Sequence, residues 1–289
     1  MTVIEVIQRS AEFLSKKGVE SPRLQIELLL AHVLKMPRLN LYLDFNRTLT
    51  EPELGTLRPM VKRRGNREPL QHIIGSTSFC GLEIHVTSAV LIPRPETELL
   101  AERAYTFLTS SAAPADKPVS FFELGTGSGC LAIALAFKCQ AARGHSVDIS
   151  KSALAVAREN AERHQVSDRI QFLQGDGFDA LARDLRFDLI VSNPPYIPTA
   201  EIATLAPEVR DHDPHVALDG GSDGLKFYHR LAEDAGSFLR PNGKLMMEFG
   251  DGQAEEIQSI LTANRWAIEK VEADYSGRPR ILIAHRQES

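Results

Sequence analysis

Cysteine is scarce in this 289-residue chain: Cys80, Cys130 and Cys139 are odd in number and form no C-x-x-C pair. That usage suits a reducing cytoplasm and speaks against structural disulfides. Long apolar runs are missing too, and none approaches the roughly eighteen residues that a membrane span needs. The opening MTVIEVIQRSAEF carries acidic residues and no signal-peptide core, so export is not expected. No segment repeats, and the single tryptophan, Trp266, begins an apolar strand, which marks it as core. What is present is ordinary for a globular protein: 43% hydrophobic and 25% charged residues exclude disorder as a whole-chain class. The length allows one large α/β domain with a smaller companion.

The net charge of −5 is unevenly spread. Residues 1–75 hold 12 Lys/Arg against 8 Asp/Glu, whereas the remainder holds 21 against 30. An acidic body argues against extensive non-specific nucleic-acid binding, and a mildly basic head is free to meet an acidic partner.

The head reads as helical. Ile4, Ile7, Ala11 and Leu14 recur at helical spacing up to Gly18. Ser21-Pro22 offers an N-cap and a first-turn proline ahead of Leu24–Leu34, and Thr50-Glu51-Pro52-Glu53 is a capping-box pattern opening a third helix into Lys62-Arg63-Arg64. Residues 1–75 are therefore expected to form a small helical bundle. Over 76–92, Ser78-Phe79 and Leu82–Val86 flank Cys80-Gly81 as a two-stranded hairpin linker. Residues 93–289 form the main domain. A helix is expected over Glu96–Leu108, then a loop of flexible composition from Ser110 to Pro118. From Val119 strands (119–124, 145–149, 170–173, 187–192, 244–249) alternate with helices (130–142, 152–164, 225–239, 254–264), and two strands close the chain near 266–273 and 280–285. Such alternation predicts a mainly parallel sheet covered on both faces, with ligands beyond the carboxyl ends of its strands.

Two loops at such ends carry chemistry. Glu123-Leu124-Gly125-Thr126-Gly127-Ser128-Gly129 joins a strand to a helix with G-x-G-x-G spacing, unlike the G-x-G-x-x-G of dinucleotide folds. Asp148 ends the next strand, where a carboxylate can accept both hydroxyls of a ribose. Asp176, followed by Gly177, is placed to hold an adenine amino group. Acids at 123 and 148 suit a nucleoside cofactor bearing an ammonium and a sulfonium, and suit a pyrophosphate poorly. The second loop is Asn193-Pro194-Pro195-Tyr196. Its prolines end the strand sharply and remove two donors. The Asn193 side-chain oxygen and the Pro194 carbonyl can then accept both hydrogens of a planar –NH₂, while Tyr196 offers a face to stack on it. Gripping both hydrogens aims the nitrogen lone pair at a methyl donor, so methylation of an amide or amino nitrogen is expected.

These residues, with Glu68-Pro69-Leu70-Gln71-His72-Ile73-Ile74-Gly75, Ile92-Pro93-Arg94-Pro95-Glu96-Thr97-Glu98 and Ala217-Leu218-Asp219-Gly220-Gly221-Ser222-Asp223-Gly224-Leu225, resemble the HemK/PrmC protein-(glutamine-N5) methyltransferases over nearly the whole chain. The resemblance implies a class I, Rossmann-like methyltransferase domain with a seven-stranded, mainly parallel sheet, S-adenosyl-L-methionine as cofactor, and the Gly-Gly-Gln glutamine of peptide chain release factors as substrate, docked with help from the helical head. It assigns Gly125, Thr126, Gly127, Ser128, Gly129, Asp148, Asp176 and Gly177 to the cofactor, with Asn193 bordering it. Asn193, Pro194, Pro195 and Tyr196 take the substrate amide, and Arg94, Glu96 and Thr97 line the wall between the two ligands. Glu123 stands where Asp is commoner and His72 where Tyr is usual. A cytoplasmic monomer is implied, with no membrane and no stable nucleic-acid partner.

The main alternative is an exocyclic-amino methyltransferase of rRNA, tRNA or DNA, since such enzymes share the tetrapeptide. A nicotinamide-dependent oxidoreductase fits the glycine spacing poorly, and a binding module without turnover sits badly with intact Asn193 and Gly127. Asp211-His212-Asp213-Pro214-His215 fits no zinc spacing and reads as a substrate-covering loop; no metal is expected. Lys62-Arg63-Arg64 with Arg67 reads equally as an acid- or phosphate-binding patch or a solvated helix end, and Arg278-Pro279-Arg280 as structural.

Overall fold

A computed structural model describes residues 1–112 and 118–287, which fold as two units. The centre of the expected flexible loop, 113–117, lies outside the described residues.

The first unit comprises Met1–Ser76 with Ala206–His212. Helix α1 (Val3–Lys16) starts at a capping box in which Thr2 and Glu5 satisfy each other's backbone N–H. Its buried face is Val3, Val6, Ile7 and Leu14, with Ile4 and Ala11 at the edge. Helix α2 (Pro22–Leu34) differs from expectation at its start: Ser21 is left-handed, φ +48°, and makes no side-chain cap, so only Pro22 at the first position contributes. In α3 (Glu51–Gly65) the Thr50–Glu53 capping box is formed. A short helix α4 (Leu70–Ile74) completes the set. Ile26, Leu29, Leu30, Leu54, Leu57 and Met60 fill the core. Buried within it, Glu27 accepts from Arg23, Arg38 and the Tyr42 hydroxyl, so no lone charge is left in the interior. Residues 206–212 belong here because Glu208 accepts from Arg64 and, through both carboxylate oxygens, from Arg67. Burial works against that carboxylate, yet the two guanidiniums hold it down at about 2. The basic run ending α3 is thus partly spent on an internal acid.

The second unit comprises Thr77–Leu205 with Asp213–Ser289. Strands β1 (Ser76–Phe79) and β2 (Leu82–His85) pair through a two-residue turn in which Cys80 and Gly81 both have positive φ, the backbone of a tight hairpin. Then follow α5 (Pro95–Ser111), β3 (Val119–Leu124), α6 (Cys130–Lys138), β4 (Ala142–Asp148), α7 (Lys151–Arg163), β5 (Ile170–Gln174) and β6 (Phe187–Ser192). After a long loop come α8 (Lys226–Asp234), β7 (Leu239–Glu248), α9 (Ala254–Ala263), β8 (Trp266–Ala273) and β9 (Pro279–Arg286). Seven strands form one sheet in the order β5-β4-β3-β6-β7-β9-β8, parallel except where β9 pairs antiparallel with β7 and β8. Adjacent phenylalanines show its two faces: Phe121 packs with Leu100, Ala104 and Ile133 from α5 and α6, and Phe122 with Phe178, Tyr228 and Leu231. Trp266 is fully buried, its indole N–H donating to the Ala232 carbonyl at 2.9 Å.

Several expected boundaries move: the helix expected over 225–239 ends at Asp234 and the strand expected from 145 starts at Ala142, and two more shifts have a clear cause. Helix α6 stops at Lys138 instead of Ala142, because Ala142–Val147 are committed to pairing with β3. Strand β7 begins at Leu239 instead of Lys244. Its register against β6 shifts between Phe187 and Leu189, and the extra residues Arg240-Pro241-Asn242-Gly243 carry turn chemistry that hides the strand. No described helix is long and apolar enough to cross a membrane.

Candidate active site

The strand order reverses between β3 and β6, since β4 lies on one side of β3 and β6 on the other. Loops leaving neighbouring strands there diverge and open a crevice. Leu124 and Ser192 are register partners, so Gly125 and Asn193 leave the sheet side by side. The Ser192 hydroxyl locks that junction, donating to the Leu124 carbonyl at 2.8 Å. Above it lies a cavity of about 410 Å³ bordered by both loops, the N-terminus of α5 and residues 214–217.

On the glycine side, Asp148 accepts the Gly127 N–H through one oxygen and the Ser150 N–H through the other, each at 2.8 Å. It therefore ties the glycine turn to the start of α7 while lining the cavity. Burial raises its pKa, and the two backbone donors oppose that rise. Beneath the turn, fully buried Glu123 accepts from the Thr126 hydroxyl at 2.7 Å and from Ser146. Burial pushes its carboxyl up to about 7. Gly127 has φ +53°, and a Cβ there would enter open space, so the cradle has room for a ligand against bare backbone. Gly129 has φ +81° and a different constraint: a Cβ would lie 3.0 Å from that of Ala157 on α7. Asp176 and Gly177 line the cavity at the exit of β5, where Arg230 of α8 pairs with the Asp176 carboxylate and donates to its carbonyl.

On the opposite side, Asn193 donates its side-chain amide to Thr97 Oγ1 at 2.9 Å, and Thr97 donates to Glu248 Oε2 at 2.6 Å. Thr97 and Glu248 are both buried. With its –NH₂ occupied by Thr97, Asn193 has its Oδ1 left to accept at the cavity. Arg94, also in the wall, is held by Asp213 at 2.8 Å. That contact fixes the start of the 213–217 segment, whose His215 borders the cavity.

The structure brings most of the expected residues together. Arg94, Thr97, Asp148, Asn193 and Pro195 line one cavity, as do residues 125–128 and the 176–177 turn. Four stand behind that wall. Gly129 serves packing, and Pro194 is buried between two lining neighbours. Glu96 lies in the first turn of α5. Tyr196 packs against the core on the Phe122 face, with its carbonyl taken by Gln253 Nε2 at 3.0 Å and its phenol pushed up to about 12 by burial. Among the described residues no group of three or more His, Cys, Asp or Glu could hold a metal ion. Asp211 and Asp213 are instead paired with Arg210 and Arg94.

Residues 5–75 match the PrmC N-terminal domain family, and residues 106–208 match the methyltransferase small domain family. A release factor glutamine methyltransferase of Geobacter sulfurreducens is 45% identical over 261 residues, covering 90% of this chain and 88% of its own length. One from Chlorobaculum tepidum is 42% identical over 289 residues, covering 99% and 98%. The chain belongs to the release factor glutamine methyltransferase family. Its fold also resembles a solved methyltransferase from Pyrococcus furiosus, at TM-score 0.53 and 20% identity, covering 72% of this chain and 90% of that one. The hMettl16 catalytic domain, solved with an RNA hairpin, scores 0.56 at 15% identity, covering 83% of each. The fold is therefore that of class I methyltransferases, and by itself it does not separate protein from RNA substrates.

Within this family member, three residues that hold the site together escape a reading of the sequence. Glu248 ends β7 with no motif around it, and it reaches Thr97 across 151 positions. Asn160 of α7 is fully buried; it exchanges two hydrogen bonds with the His85 backbone and donates to the Ser128 carbonyl, bracing the hairpin against the glycine turn. Arg230 sits on an amphipathic helix as one arginine among many. The only available signals were a polar residue in an apolar strand end and an asparagine on a buried helix face.

Proposed function

We propose that the protein transfers the methyl group of S-adenosyl-L-methionine to the N5 amide nitrogen of the glutamine in the Gly-Gly-Gln motif of peptide chain release factors, acting in the cytoplasm. The observation that carries this reading is that Asn193 borders the cavity with its –NH₂ donated to Thr97, which leaves Oδ1 as its acceptor. An acceptor held there recognises a donor, and a primary amide nitrogen carries two hydrogens to offer.

The residues present fit the cofactor. Cβ-free space at Gly125 and Gly127, the carboxylate of Asp148 and the 176–177 turn border one cavity of a size suited to a nucleoside ligand. When bound, S-adenosyl-L-methionine supplies an electrophilic methyl group on a sulfonium. The chain's own part is to position and polarise. Asn193 Oδ1 accepts one amide hydrogen, and the Pro194 carbonyl, although its ring stands behind the wall, is assigned the other, turning the nitrogen lone pair toward the donor. As positive charge develops on nitrogen, both hydrogen bonds strengthen, which stabilises the transition state more than the ground state. The amide proton released on transfer leaves to water. The helical first unit, carrying the basic excess of residues 1–75, serves to dock the release factor. The acid excess of the rest of the chain disfavours an RNA or DNA substrate.

The test is incubation with labelled S-adenosyl-L-methionine and full-length release factors, followed by mass mapping of the modified residue. Asn193→Ala is expected to bind cofactor nearly normally and to lose most turnover. Label on tRNA, rRNA or DNA instead of the glutamine, or full turnover by Asn193→Ala, would sink the reading.

A further inference from the structure

Resting on that reading of Asn193, we infer that Glu248 is a positioning residue that selects an –NH₂ group over a carbonyl or carboxylate in the same place, by dictating through Thr97 which end of the Asn193 amide meets the cavity. The argument is one of hydrogen-bond polarity. An ionised carboxylate can only accept, so the Thr97 hydroxyl, 2.6 Å away, must donate its one hydrogen to Glu248. Thr97 Oγ1 then has only lone pairs left, and the partner 2.9 Å away must be a donor, which forces the Nδ2 end of Asn193 toward it. A flipped Asn193 would set two oxygens against each other with no hydrogen between them, inside a buried site. The negative charge at the end of β7 thus becomes an acceptor at the cavity wall, two hydrogen bonds away.

The groups facing Glu248 are known from each neighbouring element. Arg280 of β9 and Arg94 before α5 favour its charge, Glu96 of α5 opposes it, and the phenols of Tyr196 and of Tyr228 on α8 lie close by. Burial is nonetheless the dominant influence and pushes the carboxyl up to about 7. On protonation the acid would donate to Thr97, the Thr97 hydrogen would turn to Asn193, and Asn193 would be free to present Nδ2 to the cavity. The device is therefore on above that pH and off below it.

Glu248→Gln lifts the constraint at every pH, because a neutral amide can meet Thr97 as donor or acceptor and the orientation of Asn193 is no longer dictated. Steady-state methylation of intact release factor is the assay, with calorimetry of S-adenosylhomocysteine binding as the control for an intact site. Glu248→Gln is expected to lower kcat about tenfold to a hundredfold, the range spanned by a hydrogen bond to a charged group, with cofactor affinity little changed. Thr97→Val disconnects Asn193 from Glu248, so kcat falls less and the acid limb of the kcat–pH profile near neutrality disappears. Thr97→Ser keeps the hydroxyl and is expected to recover both rate and limb relative to Thr97→Val. A purely structural tie between α5 and β7 would change melting temperature and leave that limb in place. Wild-type kcat in Glu248→Gln, or an unmoved limb in Thr97→Val, overturns the inference. Asn193→Ala, run alongside, separates the two levels: lost turnover there leaves the functional reading standing, and retained turnover removes both.

Discussion

Alanine placed at Gly127 and at Gly129, two residues apart, should produce opposite defects. At Gly129 the backbone has φ +81° and ψ 2°, outside the small left-handed region open to residues with a Cβ. The new methyl would lie 3.0 and 3.1 Å from Ala157 atoms and 3.1 Å from Ile133 Cδ1, closer than packed carbons normally sit. Backbone strain of about 1–2 kcal/mol and overpacking of about 1–3 kcal/mol add to roughly 2–5 kcal/mol of lost stability. For a unit of this size that lowers Tm by about 5–20 °C. At Gly127 the φ of +53° is one that alanine can adopt at a cost of about 1 kcal/mol, and its Cβ meets nothing within 4 Å. That methyl projects into the space assigned to the cofactor. Gly127→Ala should melt within about 5 °C of wild type yet bind S-adenosyl-L-methionine at least about tenfold more weakly, since bare backbone can no longer be approached. Differential scanning calorimetry and titration calorimetry on the same samples measure both quantities. Were Gly127→Ala to lose stability but keep cofactor affinity, the turn would be a structural bend and the cavity's assignment would fail.

Two further substitutions probe the carboxylates of the site. Asp148→Ala removes the acceptor for two backbone N–H groups on the cavity rim and should weaken cofactor binding about tenfold to a hundredfold by calorimetry; unchanged affinity would contradict the role given to it. Glu123 has a folded pKa of about 7 against an ordinary 4.5, so the folded protein binds that proton more readily, and the group's contribution to stability falls as pH rises between those values, by about 3 kcal/mol in all. Glu123→Gln should therefore gain in Tm relative to wild type between about pH 5 and about pH 8, and a pH-independent difference would refute the assignment.

What the sequence made legible is what is local. The Thr2 and Thr50 capping boxes need only three residues' reach, and the first is complete although no expectation was placed on it. The glycine turn and the Asn193 tetrapeptide announce themselves because each is a run of unusual backbone at a strand end. The illegible part is what distance in the chain conceals. Ser21 has the right side chain for a cap, but its left-handed backbone turns that side chain away from the role. Residues 206–212 sit in the long loop after β6 yet fold with the helical unit, through an acid that no periodicity connects to Arg64 and Arg67. Even within the tetrapeptide, composition could not separate Asn193 and Pro195, which face the cavity, from Tyr196, whose ring is needed in the core.

The two buried carboxylates share one physical logic. Strand β6, which delivers Asn193, lies between β3 and β7, and each of those flanking strands ends in or near an acid buried beneath the cavity. Glu123 accepts hydroxyl hydrogens from Thr126 and Ser146, and Glu248 accepts one from Thr97. A hydroxyl alone can point its hydrogen in several directions, and a neutral partner can meet it as donor or acceptor. An anion removes that freedom, since it can only accept. Burying a charge costs stability, and replacing it together with its partner by apolar residues of similar volume would often restore it. The return is a wall whose hydrogen-bond polarity is settled before substrate arrives, which is where preorganised electrostatics lowers a barrier. It follows that replacing Glu248 and Thr97 together by well-packed apolar side chains should hold or raise stability while lowering turnover, whereas residues present only for packing would move both in the same direction.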